Sequence, residues 1–170
     1  MINKPYSYMG FHYMGFLGNA VPSLMLTLCG GTLVMLLLVG SIALTWKALL
    51  AGSIVMLLGF SLNFFIEFSI GLLALWIEDT SSITWIYHKA VGIFGGSIIS
   101  LALFPTPLKR VVELLPFSVL YSSAAQVLVR FSTRTCVFFI VMQVFWLLVF
   151  GSLAFVLWQR GMRNVSISGG

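Results

Sequence analysis

The chain has 170 residues, is 60% hydrophobic and 8% charged, and carries a formal charge of +5. Soluble domains carry roughly 25% charged residues, so this composition excludes an ordinary water-exposed globular protein. The positive balance does not point to nucleic acid, because single Lys and Arg residues flank apolar blocks, where their stems can snorkel to headgroups, and no basic cluster exists.

The apolar residues come in unbroken blocks, which predicts an all-α integral membrane protein, a bundle of about four transmembrane helices forming one domain over residues 1–170. Cys29 and Cys136 lie inside such blocks and read as small buried residues rather than a disulfide. No metal-ligand spacing, phosphate-binding glycine loop or Ser/His/Asp set occurs, so no catalytic residue and no metal site is expected. An enzyme would need several acid–base side chains at one depth, and only Glu67, His88 and Lys89 are ionisable near the spans. The first apolar run starts near Val21, is too long for a signal core and lacks a basic region before it, so no cleavable signal peptide is expected.

Residues 1–20 include "INKPYSYMGFHYMGFLGNA", rich in Tyr, Phe and Met. Met9, Tyr13 and Phe16 share one helical face, which predicts a short interfacial helix. The first span is expected over 22–45, with Pro22 at its start, where a missing N–H costs nothing. A second span is expected over 48–77, about 45 Å if fully helical and so longer than the roughly 30 Å hydrocarbon core. Asn63 and Glu67 lie one turn apart on it. Glu67 is read first as an interfacial carboxylate on an overlong helix, and second as a functional one.

A third span is expected over 83–104, with His88 and Lys89 near its interface and Gly92 and Gly96 in small-xxx-small spacing for close helix packing. Then "LFPTPLKRVVELLPF" breaks the apolar pattern. Leu108, Val111, Val112 and Leu115 form one helical face opposite Lys109, Arg110 and Glu113, with Pro107 at the beginning and Pro116 at the end. The following stretch to Phe131 is about 15 residues, short for a crossing. Residues 105–131 therefore read as a short re-entrant or interfacial helical hairpin between the last two spans. The last span is expected over 136–158, with Gln143 inside it as interhelical glue.

The order "GGSIISLALFPTPLKRVVELLPF" and then "QVFWLLVFGSLAFVLWQRGMRNVSISGG" resembles the C-terminal end of a type-2 ATP-binding-cassette (ABC) exporter permease. Matching features are Gly95-Gly96, Phe104-Pro105, Leu115-Pro116-Phe117, Gln143, Trp146, Trp158 and Gly169-Gly170. "LALWIED" sits where the family ends its fourth span. The resemblance implies a multi-pass permease of the cell (cytoplasmic or inner) membrane, paired with a second permease subunit. It also implies a separate cytoplasmic ABC ATPase that holds ATP and magnesium, leaving no cofactor on this chain. Lys4, Pro5, Tyr6 and Tyr13 are the expected ATPase-coupling residues. Pro105, Pro107, Pro116 and Phe117 are the expected extracytoplasmic gate, and Asn63, Glu67 and Gln143 a candidate polar path. Such permeases have six spans, so a chain with the last four is expected to be N-terminally truncated. The competing expectation is a small membrane accessory or assembly protein without transport activity.

The resemblance places both termini and Glu78-Asp79 in the cytoplasm. The Lys and Arg count mildly favours the opposite orientation, since Lys47, Lys109, Arg110, Arg130 and Arg134 then lie outside. The resemblance is given precedence.

Overall fold

The computed structural model describes residues 8–40, 45–99 and 103–168, which are helical throughout their regular elements. Lys4, Pro5, Tyr6, Gly169 and Gly170 lie outside the described residues. The elements are α1 (Tyr8–Val39), α2 (Trp46–Leu72) with a 3-10 turn at Leu73–Leu75, α3 (Ser81–Phe94), α4 (Thr106–Leu114), α5 (Ser118–Val129) and α6 (Thr133–Ser168). In hydrocarbon every backbone N–H and C=O must be paired within the protein, which these apolar runs achieve as helices. Among the described residues, three helices are long and apolar enough to cross a membrane: Met9–Val34, Trp46–Leu75 and Thr133–Met162.

The expected boundary between an interfacial helix over 1–20 and a span starting at Pro22 is absent, because α1 runs through Pro22 without a break. A proline inside a helix removes one backbone bond, yet side-chain hydroxyls can bond the carbonyls around it. Ser23 Oγ donates to the Asn19 carbonyl at 3.2 Å and Thr27 Oγ1 to the Ser23 carbonyl at 2.8 Å.

The α2 helix is the hub. Thr45 caps its start, accepting a bond from the Ala48 N–H at 3.4 Å. Val55, Leu62 and Ile66 pack with Val119, Leu120 and Val127 of α5 and with Cys136 and Phe139 of α6. Lipid is as apolar as these side chains, so close packing, not escape from water, holds them together. Small residues permit it. A Cβ at Gly59 would sit 2.8 Å from the Leu120 carbonyl oxygen, and one at Gly52 2.6 Å from Leu128 Cδ2.

The expected third span over 83–104 is not one helix. After Phe94 the chain turns, with Gly96 at φ +83°, a left-handed value that suits glycine. Gly96 therefore leaves the helix, and the Gly92/Gly96 pair makes no packing stripe. Ile98 folds back over Gly92 instead, where a Cβ would meet its Cδ1 at 2.6 Å. Gly95 lies against the Phe117 carbonyl, 3.0 Å from where its Cβ would be. From there α5 continues along α2 in the direction α3 had taken, its Leu120 at Gly59 and its Leu128 at Gly52. At 1.5 Å per residue, α3 and α5 are about 21 and 18 Å long, too short singly for a roughly 30 Å core and long enough in series. The α4 helix is the insertion between them and meets α5 at 101°. Of its expected apolar face only Val112 is fully buried, while Lys109 pairs with Glu113 at 3.8 Å on the polar face.

At the other end, the loop into α3 is closed by Asp79. The Ser81 backbone N–H and hydroxyl both donate to its carboxylate at 2.8 Å, holding its pKa below the ordinary value.

Candidate functional site

Gln143 joins three helices. It is fully buried, and its Nε2 donates to the Val119 carbonyl of α5 at 2.7 Å and the Val55 carbonyl of α2 at 3.0 Å, with Ser123 Oγ at 3.3 Å. Two carbonyl acceptors fix which end of the amide faces them. Its Oε1 is buried and makes no hydrogen bond. Gly59 is what lets the amide in, because a Cβ there would come within 3.3 Å of Nε2.

Asn63 and Glu67 point elsewhere, toward α3. The Tyr87 hydroxyl donates to Asn63 Oδ1 at 2.6 Å, and His88 Nε2 lies 4.0 Å from Glu67 Oε1. Asn63 and Glu67 are thus brought together on one face, and Gln143 is kept apart from them. A carboxylate inside an apolar span is costly unless a partner or a polar cavity faces it. Glu67 sits beside His88 and also lines a cleft of about 520 Å³ between α1, α2, the 3-10 turn and α6, whose other described walls are mostly aromatic and aliphatic.

The expected gate residues cluster at the α4 insertion. Pro105 is the N-cap of α4 and Pro107 lies in its first turn, where its fixed φ is tolerated. Leu115 is extended at ψ 150°, as a residue before proline favours, and Pro116 ends the helix. Phe117 opens α5, its ring 6.2 Å from Tyr87 and 6.4 Å from Phe94. Trp146 Nε1 on α6 donates to the Leu114 carbonyl at 3.1 Å, tying the end of α4 to the last helix.

Tyr13, the described member of the expected coupling group, anchors α1 to α2. Its hydroxyl lies 2.9 Å from Ser61 Oγ, which itself donates to the Leu57 carbonyl, so Tyr13 is the donor. Its ring lies 5.2 Å from Phe64 and 5.7 Å from Phe65, with Phe16 against Phe64 at 5.1 Å. A second cleft, of about 300 Å³, opens between α1, α2 and α5, where Thr27, Thr32 and Tyr121 interrupt an apolar wall.

Sequence reasoning missed Tyr87, Ser61 and Ser123. Their partners are 24, 48 and 20 residues away, and periodicity along one helix carries no signal of such pairing. Among the described residues no cluster of His, Cys, Asp or Glu could hold a metal ion.

A family model described as "ABC-2 family transporter protein" matches residues 11–169. No curated protein and no solved structure gives a comparable match.

Proposed function

This chain belongs to the ABC-2 family of transporter proteins, and from that premise we propose that it is the permease subunit of an ABC-type exporter, driven by a separate cytoplasmic ATPase and paired with a second permease subunit. The feature that supports the reading, beyond membership, is the break between α3 and α5, filled by the α4 insertion, whose helix meets α5 at 101°. Two half-helices meeting at Gly95 and Phe117 can shift against each other without unfolding a continuous helix, which suits a gate that opens and closes with a distant ATPase.

In this reading α1 starts, α2 ends and α6 ends on the cytoplasmic side of the cell membrane. Lys4, Pro5 and Tyr6 contact the ATPase. Tyr13 carries the motion to α2 through Ser61 and the Phe64–Phe65 rings, and Gln143 passes it from α2 to α5. Pro105, Pro107, Pro116 and Phe117 form the gate, at the break between α3 and α5. ATP and magnesium act on the partner, and this chain contributes conformational change rather than bond chemistry.

The test is affinity purification of the tagged full chain from its native membranes in mild detergent, with ATP hydrolysis assayed in the eluate. The proposal requires a co-purifying ATPase whose recovery falls at least fivefold in a chain carrying Lys4→Glu and Tyr6→Ala. A stably inserted chain that brings down no ATPase supports an accessory membrane protein instead.

A further inference from the structure

We propose that the end of the bundle formed by the start of α2, the end of α5 and the start of α6 holds the phosphate of an anionic phospholipid. The site is built within one chain and stands independently of the exporter reading.

Helix packing brings three cations to this end. Leu120 of α5 lies at Gly59 of α2 and Leu128 at Gly52, so these two helices run in opposite directions. Gln143 of α6 meets Val55 of α2, and Gly161 meets Leu75 just beyond α2, so α6 runs the same way as α2. The start of α2 therefore stands level with the end of α5 and the start of α6. Lys47 lies in the first turn of α2, Arg130 caps the end of α5, and Arg134 lies in the first turn of α6. All three are exposed.

The acidic residues are far from them. The chain has four, Glu67, Glu78, Asp79 and Glu113. Glu67 is about 30 Å along α2 from Lys47 at 1.5 Å per residue, and Glu78 and Asp79 come after the far end of that helix. Glu113 precedes Leu114, whose carbonyl is held by Trp146, about 18 Å along α6 from Arg134. Residues 41–44, which lead into α2 and lie outside the described set, are Ser-Ile-Ala-Leu and bring no charge. Among the described residues no ion pair reaches Lys47, Arg130 or Arg134.

A cleft of about 450 Å³ opens at the same end, between Ala125, Gln126, Val129 and Arg130 on one side and Thr135 of α6 on the other. That volume is within the usual range for small-molecule sites, roughly 300–1,000 Å³. A guanidinium, an amide and a hydroxyl offer donors to phosphate oxygens, while Ala125 and Val129 give an apolar wall for the first methylenes of a lipid chain. Trp46 is exposed beside Lys47, as tryptophans at the headgroup level are. The planar forks of two arginines match phosphate oxygens in pairs, and Lys47 adds a point charge. A zwitterionic lipid would bring its own ammonium group to three cations, so the charge selects a headgroup with a net negative charge. A free phosphate would leave the apolar wall uncovered, which favours the lipid as the source of the anion.

The experiment is native mass spectrometry of the full chain in mild detergent, titrated with phosphatidylglycerol or with phosphatidylcholine of the same acyl chains. Wild-type chain is expected to bind phosphatidylglycerol saturably, one per chain, and at least tenfold more tightly than phosphatidylcholine, a readout that needs no variant to fold. Arg130→Gln with Arg134→Gln is expected to remove at least tenfold of that affinity, Lys47→Gln about threefold, and Arg160→Gln, toward the other end of α6, none. Arg130→Lys with Arg134→Lys keeps the charge and loses the paired donors, and is expected to bind at least threefold more weakly than wild type. Millimolar inorganic phosphate is expected to leave the lipid bound. Equal affinity for the two lipids overturns the proposal, and so does an unchanged affinity in the double lysine chain, which would mark diffuse attraction. Full displacement by inorganic phosphate would mark a soluble-anion site and likewise overturn it.

Discussion

The side-chain amide of Gln143 on α6 lies 2.7 Å from the carbonyl of Val119 on α5, and the same nitrogen reaches Val55 on α2. One side chain therefore fixes the register of the three helices that form the core. The carbonyls it meets belong to helix backbones, so its loss leaves no backbone unpaired. Gln143→Leu keeps the volume and removes the polar link, and is expected to cost about 1 kcal/mol, near the usual value for an interhelical bond in a membrane. Gln143→Ala is expected to cost more, since it adds a cavity. Reversible unfolding in mixed micelles measures both, and a Leu variant more stable than wild type would show that desolvation of the amide outweighs its bonds.

Gly59 and Gly52 separate backbone from side-chain resistance. A methyl at Gly59 meets a main-chain oxygen that cannot turn aside, whereas one at Gly52 meets the end of a leucine. Gly59→Ala is expected to destabilise by about 1–3 kcal/mol through forced separation of α2 and α5. Gly52→Ala should cost less, and Gly15→Ala, which faces open space, should be neutral or slightly stabilising. The same unfolding assay ranks the three, and the ranking fails if Gly15→Ala proves the most harmful.

The attachment of α1 rests on Tyr13. Tyr13→Phe removes its hydroxyl bond to Ser61 and keeps the ring against Phe64 and Phe65. Each of Tyr13→Phe and Ser61→Ala is expected to cost about 0.5–1 kcal/mol, and the pair together little more than one alone. A double-mutant cycle checks this. Simple additivity would mean that the two hydroxyls are not coupled.

Orientation is decided by labelling. With Cys29 and Cys136 replaced by Ser, a single Cys at Ser132 is expected to react with a membrane-impermeant maleimide on intact cells, and one at Ser81 only after permeabilisation. The reverse pattern would support the orientation favoured by the Lys and Arg count.

Long uncharged runs made the membrane-spanning, all-helical class legible; where the second and last spans were expected over 48–77 and 136–158, the helices run Trp46–Leu72 and Thr133–Ser168. The α4 insertion was legible for a different reason: its three prolines and its charges interrupt the pattern. What stayed hidden was how α3 ends. Apart from His88 and Lys89 near its start, the run from Ile83 to Phe104 carries no charge, and nothing in its hydropathy distinguishes a straight span from one that turns at Gly95-Gly96. Pro22 misled in the opposite direction, because lipid tolerates inside a helix a residue that in water would mark its start. The pairing of Asn63 with Tyr87, and the aromatic cleft that Glu67 opens into, depend on packing between helices and leave no periodic trace.

The measurement that tests the account most directly is whether ATP moves this chain. Hydrogen–deuterium exchange would be followed over residues 103–131 in the purified complex with its ATPase, in nanodiscs, with and without ATP and vanadate. The account predicts that exchange in α4 and the start of α5 changes at least fivefold on trapping the nucleotide, while the α2 segment around Val55 to Leu62 stays as protected as before. Identical exchange over 103–131 in both states, with ATP demonstrably bound, would contradict a gate at the broken crossing and the transport role built on it.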